Sequence, residues 1–133
     1  MKGLRANITR PLPFAAKMDV VDNSGAKVIR LFTTYKIKTV KGRNTAAGVS
    51  DLIMANVVKG KPDMKKKSVL AVIVRQKKEY RRQDGSRIQF EDNAAVVVKD
   101  NKGNPAGTII KGPVAKEVCE RWPAIAKIAT IIV

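Results

Sequence analysis

The segment AVIVRQKKEYRRQDGSRIQF, residues 71–90, limits what this chain can fold into more than any other stretch. Ala71 to Val74 are apolar and mostly β-branched, as in a core strand. Arg75, Lys77, Lys78, Arg81, Arg82 and Arg87 follow at once, opposed only by Glu79 and Asp84. Asp84-Gly85 is a hairpin signal, because the central positions of a tight two-residue turn need φ > 0 and both residues tolerate it. The sequence therefore predicts a buried strand that hands its chain to a positively charged, folded-back arm.

Turn signals recur along the rest of the chain. KMDVV (17–21) and AKVIRLFTTYKIKTV (26–40) flank DNSG, whose Gly25 can close a hairpin. In the second run Val28, Leu31, Phe32, Tyr35, Ile37 and Val40 alternate imperfectly, as in a strand that bends or carries a bulge. DLIMANVV (51–58), SVLAVIVRQKKEY (68–80), SRIQF (86–90), AAVVV (94–98) and GTII (107–110) read as further strands. Many short strands between turns predict a small barrel or sandwich. No repeat or low-complexity tract interrupts the 133 residues, so one domain is expected over 1–133.

The two ends read differently from this middle. Residues 1–17 are basic, are broken by Pro11 and Pro13, and contain no apolar stretch of signal-peptide length. They predict an extension that wraps over a surface, with no export. Residues 112–133 change to helical spacing. Gly112 suits an N-cap, Pro113 the first helical position, and PAIAKIAT a second short helix. Val114, Val118, Cys119 and Trp122 share one apolar face, for which packing on the barrel is the ordinary reading.

Charge decides what class of partner to expect. Lys and Arg outnumber Asp and Glu by 27 to 11, a formal net charge of +16. Self-repulsion on that scale asks for a polyanionic partner, nucleic acid first and an anionic membrane surface second. Residues 1–90 carry +15 of it and residues 91–133 only +1. The first part is read as the nucleic-acid side. The second is read as a protein-contact side, with Val114, Val118, Trp122 and Ile125 as candidates.

Enzyme chemistry finds little support. There is no histidine, which removes the usual general base near neutral pH and the commonest zinc ligand. Cys119 stands alone, so no internal disulfide is possible, and its apolar setting predicts an inert thiol. GTIIKGP (107–113) has glycines at phosphate-loop spacing, but Pro113 occupies the place of the essential lysine. No cofactor or metal is expected.

Three basic clusters remain, each in or beside a predicted turn: Lys36, Lys38, Lys41 and Arg43; Lys59, Lys61, Lys65, Lys66 and Lys67; and the six cations of the 75–87 arm. Together they predict phosphate contacts with folded RNA. No two of the six aromatics alternate on one strand, so the sequence does not support a platform for stacking bases.

AVIVRQKKEYRRQDGSRIQFEDNAAVV (71–97) resembles the signature of the universal large-subunit ribosomal protein L-fourteen family. The small residue and three aliphatics Ala71–Val74, Asp84-Gly85, Phe90, Asn93 and Val96-Val97 all fall in place. VDNSGAK (21–27) and GPVAKEV (112–118) look like two further family blocks, so the resemblance covers Met18 to Val133. Gln83 stands where many relatives have proline before the turn, and the extension before Met18 fits the archaeal and eukaryotic branch. The resemblance implies a mainly β fold: a small five-stranded β-barrel with a projecting β-ribbon and two short C-terminal α-helices. It further implies a cytoplasmic structural constituent of the large ribosomal subunit that binds large-subunit ribosomal RNA. Contacts with small-subunit ribosomal RNA at inter-subunit bridges, with ribosomal proteins L-three and L-twenty-four-e, and with a subunit anti-association factor follow from it as well. No membrane partner is implied. A free RNA-binding module or chaperone of the small-barrel type, and an enzyme acting on RNA, remain the alternatives.

Overall fold

A computed structural model describes residues 8–133; residues 1–7 of the expected N-terminal extension lie outside the described residues. The chain runs through β1 (Lys17–Val20), β2 (Ala26–Thr34), β3 (Leu52–Gly60) and β4 (Ser68–Arg75). A short ribbon follows, β5 (Tyr80–Arg81) and β6 (Arg87–Ile88), and then β7 (Ala94–Val98). β8 (Pro113–Val114), α1 (Lys116–Arg121), α2 (Pro123–Ile128) and β9 (Ile131–Ile132) complete it. Strands β1-β2-β3-β4-β7 close into a barrel, with β7 lying parallel to β1 through Asp19↔Ala94 and Val20↔Ala95. The fold is the mainly β architecture that the resemblance implies.

Local chemistry explains the corners. In the DNSG turn Asp22 accepts from Ser24 N at 3.2 Å and Ser24 Oγ at 2.6 Å, while its other oxygen accepts from Val97 N at 2.9 Å. Gly25 sits at φ 103°, where a side chain would be strained. The imperfect alternation of β2 is a real bulge: its pairing with β3 shifts between Leu31 and Thr33. That strand ends at Thr34, six residues before the predicted limit, and Lys36 then turns the chain at φ 58°.

Two apolar layers share the strands. Met18, Ile29, Leu31, Ile53, Ala55, Val57, Ala71, Ile73, Ala95 and Val97 form a cluster drawn from all five barrel strands, so they fill its interior. The alternate residues of β4 and β7, Val72, Val74, Val96 and Val98, cluster instead with Val114, Val118, Trp122 and Ile125. The two C-terminal helices therefore lie over the outer face of β4 and β7. Burial on both faces explains why these two strands read as unbroken apolar runs. Trp122 donates its Nε1 to Ser50 O at 2.9 Å. A Cβ on Gly103 would meet its ring at 2.4 Å, so glycine is required beneath the indole.

Two local expectations are corrected. GTII makes no strand; only Ile110 bridges, to Asp22, because Thr108 N is taken by the Asn23 side chain at 2.8 Å. Gly112-Pro113 does not start the helix. Gly112 stands at φ 78°, Pro113 and Val114 pair in parallel with Ile131 and Ile132, and α1 begins at Lys116 behind Ala115.

Candidate nucleic-acid interface

The basic clusters leave the barrel in two directions. Loop 35–51 joins the end of β2 to the start of β3, and loop 61–67 leaves the far end of β3. The ribbon follows β4, so it returns to the end from which loop 35–51 departs. β3 is nine residues long, so the two ends lie roughly 25 Å apart along the strand. The structure thus brings together the 36–43 and 77–87 clusters on one end and holds the 59–67 cluster on the other.

Each loop is shaped by its backbone and leaves its cations exposed. Lys36, Lys38, Lys41 and Arg43 are all exposed, with Lys36 and Lys41 at φ 58° and 57°. The Thr39 hydroxyl closes this loop on Arg43 O, and Lys36 Nζ stands 5.5 Å from the Tyr35 ring centroid. At the other end Lys61 N donates to Gly25 O and Lys65 N to Lys61 O, at 2.9 and 3.0 Å. Lys59, Lys61, Lys65, Lys66 and Lys67 are exposed, and no ion pair holds any of them among the described residues.

The arm between Arg75 and Arg87 differs most from its sequence reading. Arg75 is buried. Its Nε and Nη2 donate to Asp92 at 2.9 and 3.1 Å, and its Nη1 donates to Lys111 O and Pro113 O at 3.1 and 3.0 Å. Four of its five N–H groups are thus taken by partners within the chain, and the side chain is buried, so Arg75 serves the fold rather than standing ready for a phosphate as the sequence reading had it. It ties the end of β4 to the approach to α1. A Cβ on Gly112 would fall 2.6 Å from Arg75 Nη1, which explains glycine there.

Arg82 is likewise engaged within the chain. It donates to Glu117 Oε1 at 2.7 Å and to Val133 O at 2.6 Å, while Tyr80 Oη donates to Glu117 Oε2 at 3.0 Å. Burial first, and the neighbouring Glu117 carboxylate second, push the Tyr80 phenol well above its usual range. Tyr80 is 1% exposed, so the ribbon is pinned down onto α1 rather than standing free at its base. Lys77, Lys78, Arg81 and Arg87 stay exposed, Arg87 in a surface pair with Glu79 at 3.2 Å that contributes little. At the tip Gly85 alone of the turn pair takes positive φ, at 89°. Asp84 caps Ser86, accepting from its N at 2.9 Å and its Oγ at 2.6 Å, and these bonds hold its carboxyl below the usual range.

The predicted protein-contact residues are corrected too. Val114, Val118 and Ile125 are 0% exposed and Trp122 is 1% exposed, all within the chain's own outer core layer. No partner can reach them. The exposed apolar side chains of this third are Ile109, Ile131, Ile132 and Val133. Burial raises the Cys119 thiol first, with Glu120 and Glu117 adding to it, so the group is a poor nucleophile. Among the described residues no group of three His, Cys, Asp or Glu side chains could hold a metal.

One feature was missed by sequence reasoning. Phe14 and Phe32 stand side by side on the outside of the barrel, with ring centroids 6.3 Å apart and planes at 59°. Strand alternation carries no signal for a pair assembled from two separate segments.

Comparison with known proteins gives one consistent result. The family model described as Ribosomal protein L14p/L23e matches residues 12–133. The large ribosomal subunit protein uL14 of Nanoarchaeum equitans is 55% identical over 133 residues, covering 100% of both chains. The proteins of the same name from Picrophilus torridus and Methanocorpusculum labreanum are 52% and 49% identical, again over 100% of both chains.

Proposed function

The chain belongs to the ribosomal protein L14p/L23e family, in its archaeal branch, and from that membership we propose how it meets RNA. It is a structural protein of the large ribosomal subunit, a cytoplasmic particle, and not an enzyme. In our reading residues 1–133 act as one unit. It binds large-subunit ribosomal RNA through Lys36, Lys38, Lys41 and Arg43 together with Lys77, Lys78, Arg81 and Arg87. The lysines of the far loop, Lys59, Lys61 and Lys65 to Lys67, face RNA at the subunit interface, where they contribute to bridges with small-subunit ribosomal RNA. The observation that carries this reading is the exposure of cations at both ends of one barrel, all but Arg87 without an ion pair among the described residues. Such groups release counterions from RNA without reorganising the fold.

Protein neighbours are assigned to the near-neutral C-terminal third. Its exposed Ile109, Ile131 and Ile132 offer the surface that the buried helix face does not. Relatives of L-three and L-twenty-four-e, and a subunit anti-association factor, are the partners this reading names.

The test is alanine at Lys59, Lys61, Lys65, Lys66 and Lys67 together, measured in subunit joining and in binding to ribosomal RNA. Joining should weaken while the barrel stays folded, because exposed substitutions change stability by only about ±0.5 kcal/mol each. Joining at the wild-type level in physiological salt would refute the assignment of this loop.

A further inference from the structure

Phe14 and Phe32 are 50% and 55% exposed, an unusual place for two large rings in a chain with so few aromatics. Their position is enforced. Ala15, immediately after Phe14, takes φ 68°, a left-handed conformation that costs energy in any residue with a Cβ. The kink is fixed by reciprocal bonds to β2, Ala15 N to Leu31 O at 2.9 Å and Leu31 N to Ala16 O at 2.8 Å. The β2 bulge between Leu31 and Thr33 falls at Phe32 itself. Phe32 shares the outer face of β2 with Arg30, alternating with buried Ile29 and Leu31, and the kink at Ala15 sets Phe14 beside it.

The surroundings are cationic. Arg30 lies 5.7 Å from the Phe14 ring centroid, is exposed, and makes no ion pair among the described residues. Lys17 stands opposite it on β1 and is exposed as well, while Asp19, opposite Val28, lies two residues further along. Arg30 covers one face of Phe14. The 59° tilt between the rings leaves no parallel slot, so a flat ligand would stack on one ring with the other as its wall. A flat apolar surface beside unpaired cations fits a nucleobase with its own phosphate, and it fits an apolar protein loop less well because the cations would be desolvated without a partner.

We propose that the Phe14–Phe32 pair seats one unpaired nucleobase of ribosomal RNA, with Arg30 and Lys17 at its phosphate. This rests on the RNA-binding reading above and adds a contact of a different kind, stacking instead of charge. The test compares the full chain with the double variant Phe14→Leu and Phe32→Leu, which keeps the patch apolar but removes the rings, on large-subunit ribosomal RNA. Affinity should fall about ten-fold. The slope of log affinity against log salt should not change, because no cation is lost. One nucleotide protected by the wild type from base-modifying reagents should become reactive, and Phe14→Tyr with Phe32→Tyr should restore its protection. Wild-type affinity and an unaltered footprint for the leucine variant, with the folded chain still bound, would overturn the proposal alone. So would a photo-crosslinking side chain at position 32 that reacts with a ribosomal protein in the assembled subunit. Failure of the wild type itself to bind this RNA would overturn both this proposal and the reading beneath it.

Discussion

A single guanidinium shows how a residue's role depends on what folding places around it. Arg75 follows an apolar run and precedes a cationic arm, so its sequence neighbourhood reads as RNA-facing. Its actual partners are 17 to 38 positions away, Asp92 and the carbonyls of Lys111 and Pro113, and no local pattern points to them. Arg75→Met keeps much of the volume but strands one carboxylate and two carbonyls, so it should cost roughly 3 kcal/mol of stability. Its salt slope for RNA binding should equal that of the wild type, since the buried guanidinium is held by partners within the chain. A chemical melt and a salt titration on the same variant check both halves. A flatter slope with unchanged stability would show that Arg75 is freed from its carbonyls when RNA arrives.

At the scale of elements, legibility followed the source of each element's stability. β4 and β7 were plain in the sequence because each is a run of β-branched residues with partners on both faces. The β8–β9 pair was invisible, since two residues against two, separated by 18 positions, leave no periodic trace. The ribbon was legible as a turn but not as a docked element, because Tyr80, Arg82 and Glu117 meet only in three dimensions. Its cations therefore divide. Arg81→Ala should flatten the salt slope of RNA binding by up to about one unit and leave the melt untouched. Arg82→Ala should leave the slope alone but cost about 2–3 kcal/mol, because it deprives the buried Glu117 of its charge partner. Equal slopes for both variants and the wild type would show the ribbon to be solvated; a flattened slope for Arg82→Ala would show that it leaves Glu117 for RNA.

For the whole molecule, the net charge of +16 acts on the free chain and on the complex with opposite sign. Off the RNA, like charges repel across a compact barrel, and salt relieves that repulsion within a Debye length of about 10 Å at 0.1 M. On the RNA the same charges attract phosphate, and salt competes with them. Raising salt should therefore stabilise the free protein while weakening its complex. The five lysines between 59 and 67 sharpen the test, since they crowd a short stretch with only Asp63 among them and make no ion pair among the described residues. Replacing all five with alanine should raise the melting temperature of the free protein at low salt. Relief of about 1 kcal/mol of repulsion corresponds to roughly 3–5 °C in a domain this size. The gain should fade as salt rises, until variant and wild type melt together. Should the variant instead melt lower at low salt, these lysines would be making structural contacts of their own, and their exposure would not be a reserve held for RNA.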